Sequence, residues 1–358
     1  MPLPPAVSLS LRTWPSSVRW LALILLAASA SQLLNHLNLP AGQFIGPMLV
    51  AIGFGVSGVN LRLPRQAFRL SQGCVGLLVA HSMTWAVLGA VADAWPAMVA
   101  ATVVTTLLSV VVALGMVRLG GIPGSTAAWG TSPGAASAMV AMAEDHGADP
   151  RVVATMQYVR VVCVVMAGAL ISRWLGVNGG GSDSHSTAMA MAAPHIGVLL
   201  ANLAVLGVGV ALGNWVPAGA LLVPMVIGGG LQLAGVLPVS LPGWLLSLAY
   251  GVIGCYIGLR FDRATVAYVW RRLPAMLAGS LALVVLCAAL AWVLARWMGT
   301  DFLSMYLATS PGGLDSMAII AVDIHADVGL VLAMQTLRLF AVILTGAFVA
   351  RQIIRITR

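Results

Sequence analysis

The sequence predicts an all-α, polytopic membrane protein made of two five-helix repeats in inverted topology, each with a re-entrant half-helix loop. Composition, a series of long apolar runs and an internal repeat carry this prediction. Of the 358 residues, 60% are apolar and 8% are charged, and the mean hydropathy is +0.99. Soluble domains carry about a quarter charged residues, so this chain has too few charges to cover a water-soluble globule. A soluble enzyme is therefore excluded.

Ten apolar runs are long enough to cross a bilayer, and they form two sets of five. The first set is 18–36, 43–61, 70–91, 96–118 and 151–175. The second set is 196–213, 219–237, 243–260, 274–296 and 327–350. The first run ends in Ala28-Ser29-Ala30, as a signal peptide would. Its mid-chain counterpart at 196–213 favours the first helix of a repeated unit instead.

An internal repeat is the strongest pattern in the sequence. Residues 131–162 align without a gap to residues 309–340, and both segments begin with Thr-Ser-Pro-Gly. A weaker pair, PAGQFIGPM and PAGALLVPM, begins at Pro40 and Pro217. The predicted organisation is a cytoplasmic N-terminus (1–17), a first membrane repeat (18–175), a flexible Gly/Ser-rich linker (176–194) and a second membrane repeat (195–358).

The distribution of arginine predicts the orientation of the two repeats. All 18 basic residues are arginine. In the first half they follow the second and fourth runs, and in the second half they follow the third and fifth. With five spans per half and both termini in the cytoplasm, 14 arginines are cytoplasmic, and only Arg173 and Arg296 lie outside. This pattern predicts a multi-pass protein of the bacterial inner membrane with inverted repeats, which are usual in alternating-access transporters.

The segments 119–150 and 297–326 lie between the fourth and fifth runs and are predicted to be re-entrant. Ser132 and Ser310 suit helix N-caps, and the prolines that follow them suit the first helical position. The two half-helix N-termini would then meet near the midplane and present partial positive charge to a shared cavity.

The fifth run of each repeat carries an intramembrane arginine, Arg160 or Arg338, with Gln157 or Gln335 one turn earlier. One hypothesis is that these groups and the half-helix ends hold an anion such as a carboxylate. The predicted substrate-binding residues are Ser132, Pro133, Gly134, Gln157, Arg160, Ser310, Pro311, Gly312, Gln335 and Arg338. The alternative is structural: the two arginines tie the re-entrant loops to the fifth spans by donating to loop carbonyls. Both roles can coexist.

Five aspartates are candidates for ion coupling or gating. Asp149 and Asp327 suit helix caps better than proton carriers. Asp145 and Asp323 lie near the loop mouths, where a gate and a coupling site are equal alternatives. Asp315, which replaces Ser137 of the first repeat, is a candidate proton or sodium site, or a salt-bridge partner of either buried arginine.

The cysteines and histidines show no metal-ligand spacing, and no metal, cofactor or catalytic residue is predicted. This excludes the cluster of ligands that a copper or iron oxygenase would need.

At the duplicated Thr-Ser-Pro-Gly motif, the sequence resembles the AbrB family of bacterial inner-membrane proteins, and the resemblance covers nearly the whole chain. The first copy has the fuller motif, with Pro133, Gly134, Met139, Gly147, Ala148, Asp149, Gln157 and Arg160. The second copy has His325 in place of Gly147 and lacks Pro150. The resemblance implies a polytopic membrane protein. Its members are labelled ammonia monooxygenases or regulators of gene expression, and no residue pattern in this sequence supports either label.

The predicted function is secondary transport of a small, anionic solute across the inner membrane, with binding at the midplane between the two half-helix ends. The expected partners are the lipid bilayer, a carboxylate-like anion and a coupling H⁺ or Na⁺, but no nucleic acid, and a homo-oligomer is left open. One alternative is a membrane-embedded sensor or regulator of gene expression. A second is an intramembrane hydrolase that uses Asp315 with Asp323 or Asp327.

Overall fold

The fold is helical, without strands, throughout the part of the chain that the computed structural model describes. The described residues are 15–59, 61–81, 83–132, 139, 143, 148–175, 196–215, 218–261 and 263–357. Their helices are α1 (Ser16–His36), α2 (Gly42–Val56), α3 (Arg65–His81), α4 (Trp85–Asp93), α5 (Trp95–Gly120), α6 (Gly124–Thr131), α7 (Pro150–Trp174), α8 (Ile196–Leu212), α9 (Gly219–Leu233), α10 (Gly243–Gly258), α11 (Arg263–Val269), α12 (Leu273–Met298), α13 (Phe302–Thr309), α14 (Leu314–Asp323) and α15 (Val328–Thr357). The predicted linker, 176–194, lies outside the described residues.

Four of these helices, α1, α5, α7 and α12, are long and apolar enough to cross a membrane. Helices α10 and α11 meet at a bend of 48° and add a fifth candidate if they form one span. The apolar helices α2 and α9 have 15 residues each. At 1.5 Å per residue such a helix is about 22 Å long, which is less than the ~30 Å of a bilayer core. The prediction of an all-helical, membrane-type chain is confirmed at this level, and ten full spans remain a prediction.

The predicted third run, 70–91, is divided in the structure between two helices. Helix α3 ends at His81, and α4 begins at Trp85. The corresponding run of the second half is also followed by a short helix, α11, after a bend. The apolar pattern could not show these breaks because it continues through them.

The helices form two bundles, and each bundle contains helices from both halves of the sequence. In the first bundle, α3 packs on α9, and α10 packs on α2. In the second bundle, α5 packs on α15, and α7 packs on α12. Helix α14 lies between them, since it contacts α3 of the first bundle and α7 and α15 of the second.

Glycine permits the closest helix contacts of the first bundle. On α3, a Cβ added at Gly76 would collide with the carbonyl oxygen of Leu221 on α9. On α10, a Cβ at Gly254 would collide with the carbonyl oxygen of Phe44 on α2. Such close backbone approach is typical of membrane helix interfaces, where packing rather than water exclusion drives association.

Candidate anion-binding cavity

A break in the chain between α13 and α14 forms one wall of the candidate site. Helix α13 is closed by the bond from Ser310 N to Tyr306 O at 2.8 Å, and Ser310 then turns extended (φ −60°, ψ 138°). Helix α14 has Gly313 as its N-cap and begins at Leu314. The prediction that Ser310 is an N-cap and Pro311 the first helical residue is therefore wrong. The physical reason is that Gly312 and Gly313 follow Pro311 and glycine is a poor helix former, so the next helix begins only at Leu314.

The corresponding helix of the first repeat ends in the same way. Helix α6 ends at Thr131, and Ser132 follows as its C-cap (φ −59°, ψ 123°). The Ser132 hydroxyl donates backwards to Ala128 O at 2.7 Å, and the helix that Ser132 was predicted to cap lies outside the described residues. The predicted residues Pro133, Gly134 and Asp145 lie outside the described residues.

Arg338 and Gln335 of α15 donate hydrogen bonds to the carbonyls exposed by the second break. Arg338 Nη1 donates to Ser310 O at 2.6 Å, and Nη2 donates to Gly312 O at 3.4 Å and to Gln335 Oε1. Gln335 Nε2 donates to Leu307 O at 2.7 Å and to Ser310 O at 3.0 Å. A helix end buried in apolar surroundings leaves carbonyls without partners, and these two side chains supply the donors.

Arg160 and Gln157 of α7 form the same cluster at the first break. Arg160 Nη1 donates to Thr131 O at 3.2 Å and to Ser132 O at 3.0 Å, and Nη2 donates to Gln157 Oε1 at 2.6 Å. Gln157 Nε2 donates to Trp129 O at 2.9 Å and to Ser132 O at 3.0 Å. Both arginines therefore perform the structural role that the sequence left as an alternative.

The two guanidinium groups are buried without a counter-charge among the described residues. Arg160 is 3% exposed and Arg338 is 4% exposed. Their hydrogen-bond acceptors are carbonyl and amide oxygens rather than carboxylates, and the Nε atoms of both are buried without a described partner. Carbonyl dipoles satisfy N–H groups but carry no net charge, so the described residues leave both positive charges uncompensated.

Both arginines line a cavity of about 900 Å³ between the two bundles. Its floor is formed by buried or half-buried residues: Gln157, Arg160, Gly312, Asp315, Gln335 and Arg338. Its mouth carries more exposed arginines: Arg62, Arg65, Arg69, Arg151 and Arg260. Of the predicted substrate-binding residues, the described Ser132, Ser310 and Pro311 are not in the lining. The cavity therefore leads from exposed positive charge to buried positive charge.

Aromatic side chains hold one arginine of the mouth. The Arg260 guanidinium lies 4.6 Å from the ring centre of Tyr256 and 6.0 Å from that of Tyr158. Phe68 stacks on Tyr256 with ring centres 4.0 Å apart. Sequence reasoning missed these residues because it interpreted the arginines only as markers of membrane orientation. The available signal was that charged and aromatic residues occur together near the ends of apolar runs.

Asp315 is the only acidic residue among the described residues that line the cavity. It lies in the first turn of α14, and its Oδ2 accepts a hydrogen bond from Gln72 Nε2 of α3 at 2.7 Å. No ion pair joins it to Arg160 or Arg338 in the described structure, so the salt-bridge alternative is not realised. Gln72, a polar residue within the third apolar run, was not singled out from the sequence.

Asp149 and Asp327 are helix caps, as the sequence favoured. Asp149 Oδ1 accepts from Arg151 N at 3.0 Å, and its Oδ2 accepts from the Tyr268 hydroxyl at 2.7 Å. Asp327 Oδ1 accepts from Leu330 N at 2.9 Å. Neither carboxylate lines the cavity.

Asp323 lies at the far end of α14 and contacts the first bundle. Its Oδ2 accepts a hydrogen bond from Ala41 N at 2.5 Å, at the start of α2. Ala41 has a left-handed backbone conformation (φ 56°), and so does Ala218 at the start of α9 (φ 54°). Asp323 and Asp315 are eight residues apart, about 12 Å along the helix axis, so they do not form the aspartate pair of a hydrolase.

Comparison with known proteins places these features in a family. Residues 44–354 match the family described as "Transition state regulatory protein AbrB". A protein of Escherichia coli (strain K12) named "Putative regulator AbrB" is 42% identical over 335 residues, which cover 93% of this chain and 96% of that protein. A protein of Bacillus subtilis (strain 168) named "Uncharacterized protein YhjN" is 24% identical over 349 residues, covering 89% of each. No solved structure matches this chain.

Proposed function

The chain belongs to the AbrB family, and we propose that it is a secondary transporter of a small anion across the bacterial inner membrane. The observation that carries the proposal is the cavity. It has two buried guanidinium groups, Arg160 and Arg338, on its floor and further arginines at its mouth. Converging positive charge in a cavity with low-dielectric walls raises the local concentration of anions and favours their binding.

The binding position proposed for the anion is the floor of the cavity. The N-terminus of α14, at Gly313 and Leu314, reaches the same cavity and adds partial positive charge there. A carboxylate or another small oxyanion would accept N–H groups from the guanidiniums and from this helix end. The clusters with Gln157 and Gln335 hold the two arginines in place.

Equivalent contacts in the two halves support the proposal of a structural repeat. Helices α2 and α9 are offset by 177 residues at both ends, and α6 and α13 by 178. The contact of Gly76 with Leu221 corresponds to that of Gly254 with Phe44. In each copy, helices pack on helices of the other copy. Such an arrangement can move so that one shared site opens first to one side of the membrane and then to the other.

Arginine distribution supports an inverted arrangement, with the cavity mouth in the cytoplasm. The arginines at the mouth belong to the side that the positive-inside rule assigns to the cytoplasm. In this orientation the described conformation is open inwards. The bond between Asp323 and Ala41 then lies on the opposite side, where it closes the outward path.

The alternative function is a membrane-embedded sensor or regulator that binds a ligand without moving it. The name of the Escherichia coli relative favours a regulatory role for that protein. A sensor would use the same cavity, so ligand binding alone does not separate the two functions; only movement of the solute does.

The experiment begins with thermal unfolding of the purified protein in detergent in the presence of acetate, succinate, citrate, phosphate, neutral amino acids or ammonium. A ligand of the cavity raises the unfolding temperature of the wild type and of Arg173→Gln, an exposed arginine on the same helix as Arg160. The same ligand stabilises Arg338→Lys less, because this variant keeps the positive charge but loses the guanidinium geometry. Uptake of that ligand by proteoliposomes supports a transporter, and binding without uptake supports a sensor.

A further inference from the structure

The floor of the cavity presents charges of both signs that do not neutralise each other. The guanidiniums of Arg160 and Arg338 donate to carbonyl and amide oxygens, whereas the Asp315 carboxylate accepts from Gln72. Each charge is held by a neutral partner on a separate segment. A buried charge without an opposite partner is unfavourable and marks a place where a ligand supplies the missing charge.

This arrangement occurs once, although the arginine clusters occur twice. At the position of Asp315, the first repeat has Ser137, and at the position of Gln72, the second repeat has Tyr250. Among the described residues, both breaks are held by an Arg–Gln cluster that contains no acidic residue. The Asp315–Gln72 pair is therefore not required to stabilise the break in each repeat. This favours a functional role for the pair.

The surroundings of Asp315 favour a proton over a metal cation. A hard metal ion requires several converging oxygen ligands. In the described structure, Asp315 Oδ2 accepts an N–H group, and the nearby Gly312 carbonyl accepts from Arg338. Asp315 is also the only carboxylate of the described lining. A single carboxyl group can take up a proton on Oδ1 while Oδ2 keeps its bond to Gln72.

We propose that Asp315 is the proton-coupling residue of the transporter, so that protonation of Asp315 and binding of the anion favour each other. This inference rests on the proposed function. A bound anion adds negative charge close to the carboxylate and so favours its neutral form, and the neutral form in turn removes repulsion from the anion. Because the coupling is reciprocal, the anion binds more tightly as the pH falls, by at most about tenfold per pH unit for one proton.

The charges of the other groups in the cavity do not change as Asp315 titrates, so their effect on the protonation of Asp315 has a fixed direction. Helix α14 packs against α3, α7, α13 and α15. The titratable or charged groups that the described parts of these helices, and of the neighbouring α10 and its end, contribute to the cavity lining are Arg65, Arg69, Arg151, Tyr158, Arg160, Arg338, Tyr256 and Arg260. The arginines remain charged and favour the carboxylate form of Asp315 in the empty cavity. An anion offsets that positive charge, so proton uptake accompanies binding.

The first test needs no substrate. Dicyclohexylcarbodiimide modifies protonated carboxyl groups in apolar surroundings, and mass spectrometry of the full-length protein in detergent locates the label. We expect labelling of Asp315 that falls as the pH rises and is the same in sodium chloride and choline chloride. In Gln72→Leu, which removes the donor to the carboxylate, labelling should persist to higher pH. The proposal is overturned if Asp315 is unlabelled at every pH in folded protein, or if sodium protects it more than choline does.

The second test adds acetate, succinate, citrate and phosphate as probe anions. A probe that binds should increase the labelling of Asp315 at constant pH. Its stabilising effect should depend on pH in the wild type and in the exposed control Asp93→Asn. In Asp315→Asn and in Asp315→Ser, which copies the first repeat, the only remaining pH dependence should be that of the probe itself.

The outcomes separate this inference from the proposed function. Anions that stabilise the protein without changing Asp315 labelling would overturn proton coupling but leave anion binding intact. If the labelling of Asp315 follows the pH but no anion changes it, and no anion stabilises the protein, the coupling is overturned and the result counts against the anion transporter as well.

Discussion

At the residue scale, two Arg–Gln clusters explain how irregular backbone is kept in an apolar environment. Each arginine lies one turn after its glutamine, so both side chains reach the same break. The sequence predicted these pairs because buried polar residues stand out in apolar runs. It predicted loop carbonyls as one set of possible acceptors but not which carbonyls, because Ser310 was assigned to the start of a helix whereas it follows the end of one. The predicted caps Asp149 and Asp327 were correct because the cap motif is local.

The glutamines of these clusters should contribute to stability. We expect Gln335→Leu and Gln157→Leu each to lower the free energy of unfolding by about 1–3 kcal/mol, because buried carbonyls lose their donor. Thermal unfolding in detergent measures the effect. The matched control is Gln66→Leu, since Gln66 is exposed on α3. Equal unfolding temperatures for Gln335→Leu and Gln66→Leu would show that the cluster does not stabilise the break.

The mouth arginines should act on anion capture rather than on stability. Arg65 is exposed and lines the cavity, whereas Arg118 is exposed elsewhere. We expect Arg65→Gln to slow association of a bound anion and to weaken the salt dependence of that rate, because steering by surface charge is screened by salt. Stopped-flow binding at two ionic strengths measures both effects. Arg118→Gln should have the association rate and the salt dependence of the wild type. If Arg118→Gln slows association as much as Arg65→Gln does, steering by the mouth arginines is contradicted.

At the element scale, the helix ends and the short helices determine where the cavity lies. The apolar runs predicted that helices exist, but they extended the predicted helix across the break between His81 and Trp85. Hydropathy cannot find such breaks, because the residues around them stay apolar while the backbone changes direction. Asp323 shows a further limit, since its partner Ala41 lies 282 residues away in the sequence.

The bond between Asp323 and Ala41 should favour the inward-open conformation. By the repeat, its sequence counterpart is Asp145 with Ala218; Asp145 lies outside the described residues, and Ala218 lines the cavity. We expect Asp323→Ala to reduce cytoplasmic labelling of a cysteine placed at Asn214, because loss of the outer contact shifts the protein towards the outward-open form. Asp145→Ala should not reduce it. The measurement is the maleimide labelling rate in a background without the four native cysteines. Equal reductions in both variants would contradict the proposal that the bond between Asp323 and Ala41 acts as a gate.

Close packing of α3 on α9 provides a test of the cross-half bundle. Alanine at Gly76 would place a Cβ against the Leu221 carbonyl, whereas alanine at Gly53 on α2 meets no atom within 4 Å. We expect Gly76→Ala to lower the unfolding temperature and Gly53→Ala not to lower it, although the chemical change is the same. Two variants with the same unfolding temperature would be inconsistent with the described contact.

At the scale of the whole molecule, the composition predicted the class of the protein. The repeat pointed to both buried arginines, which line one cavity, and also to Ser310 and Pro311, which do not line it. The arginines near the cavity were visible in the sequence, but their convergence was not. Arg65 and Arg260 belong to different halves and line the same cavity because each bundle combines helices from both halves. The packing of α3 on α9 and of α10 on α2 cannot be read from hydropathy, since it depends on which glycine faces which backbone.

In an inverted topology, equivalent positions of the two repeats lie on opposite sides of the membrane, whereas Arg65 and Arg271, which are not equivalent, lie on the same side. Cysteines placed at Arg65 and at Arg271 should both react only with a cytoplasmic reagent, since each follows a run that ends inside in the inverted arrangement. Labelling by an impermeant maleimide in intact cells and in inverted vesicles measures this. Reaction from opposite faces would rule out the inverted arrangement.

The most direct measurement of anion transport is uptake of radiolabelled acetate, succinate, citrate and phosphate into proteoliposomes that contain the purified protein. We predict that at least one of these anions accumulates in exchange for internal unlabelled anion, that Arg338→Lys reduces the rate at least about tenfold, and that Arg173→Gln does not. If folded, reconstituted wild-type protein moves none of them faster than empty liposomes do, transport of small anions through this cavity is contradicted.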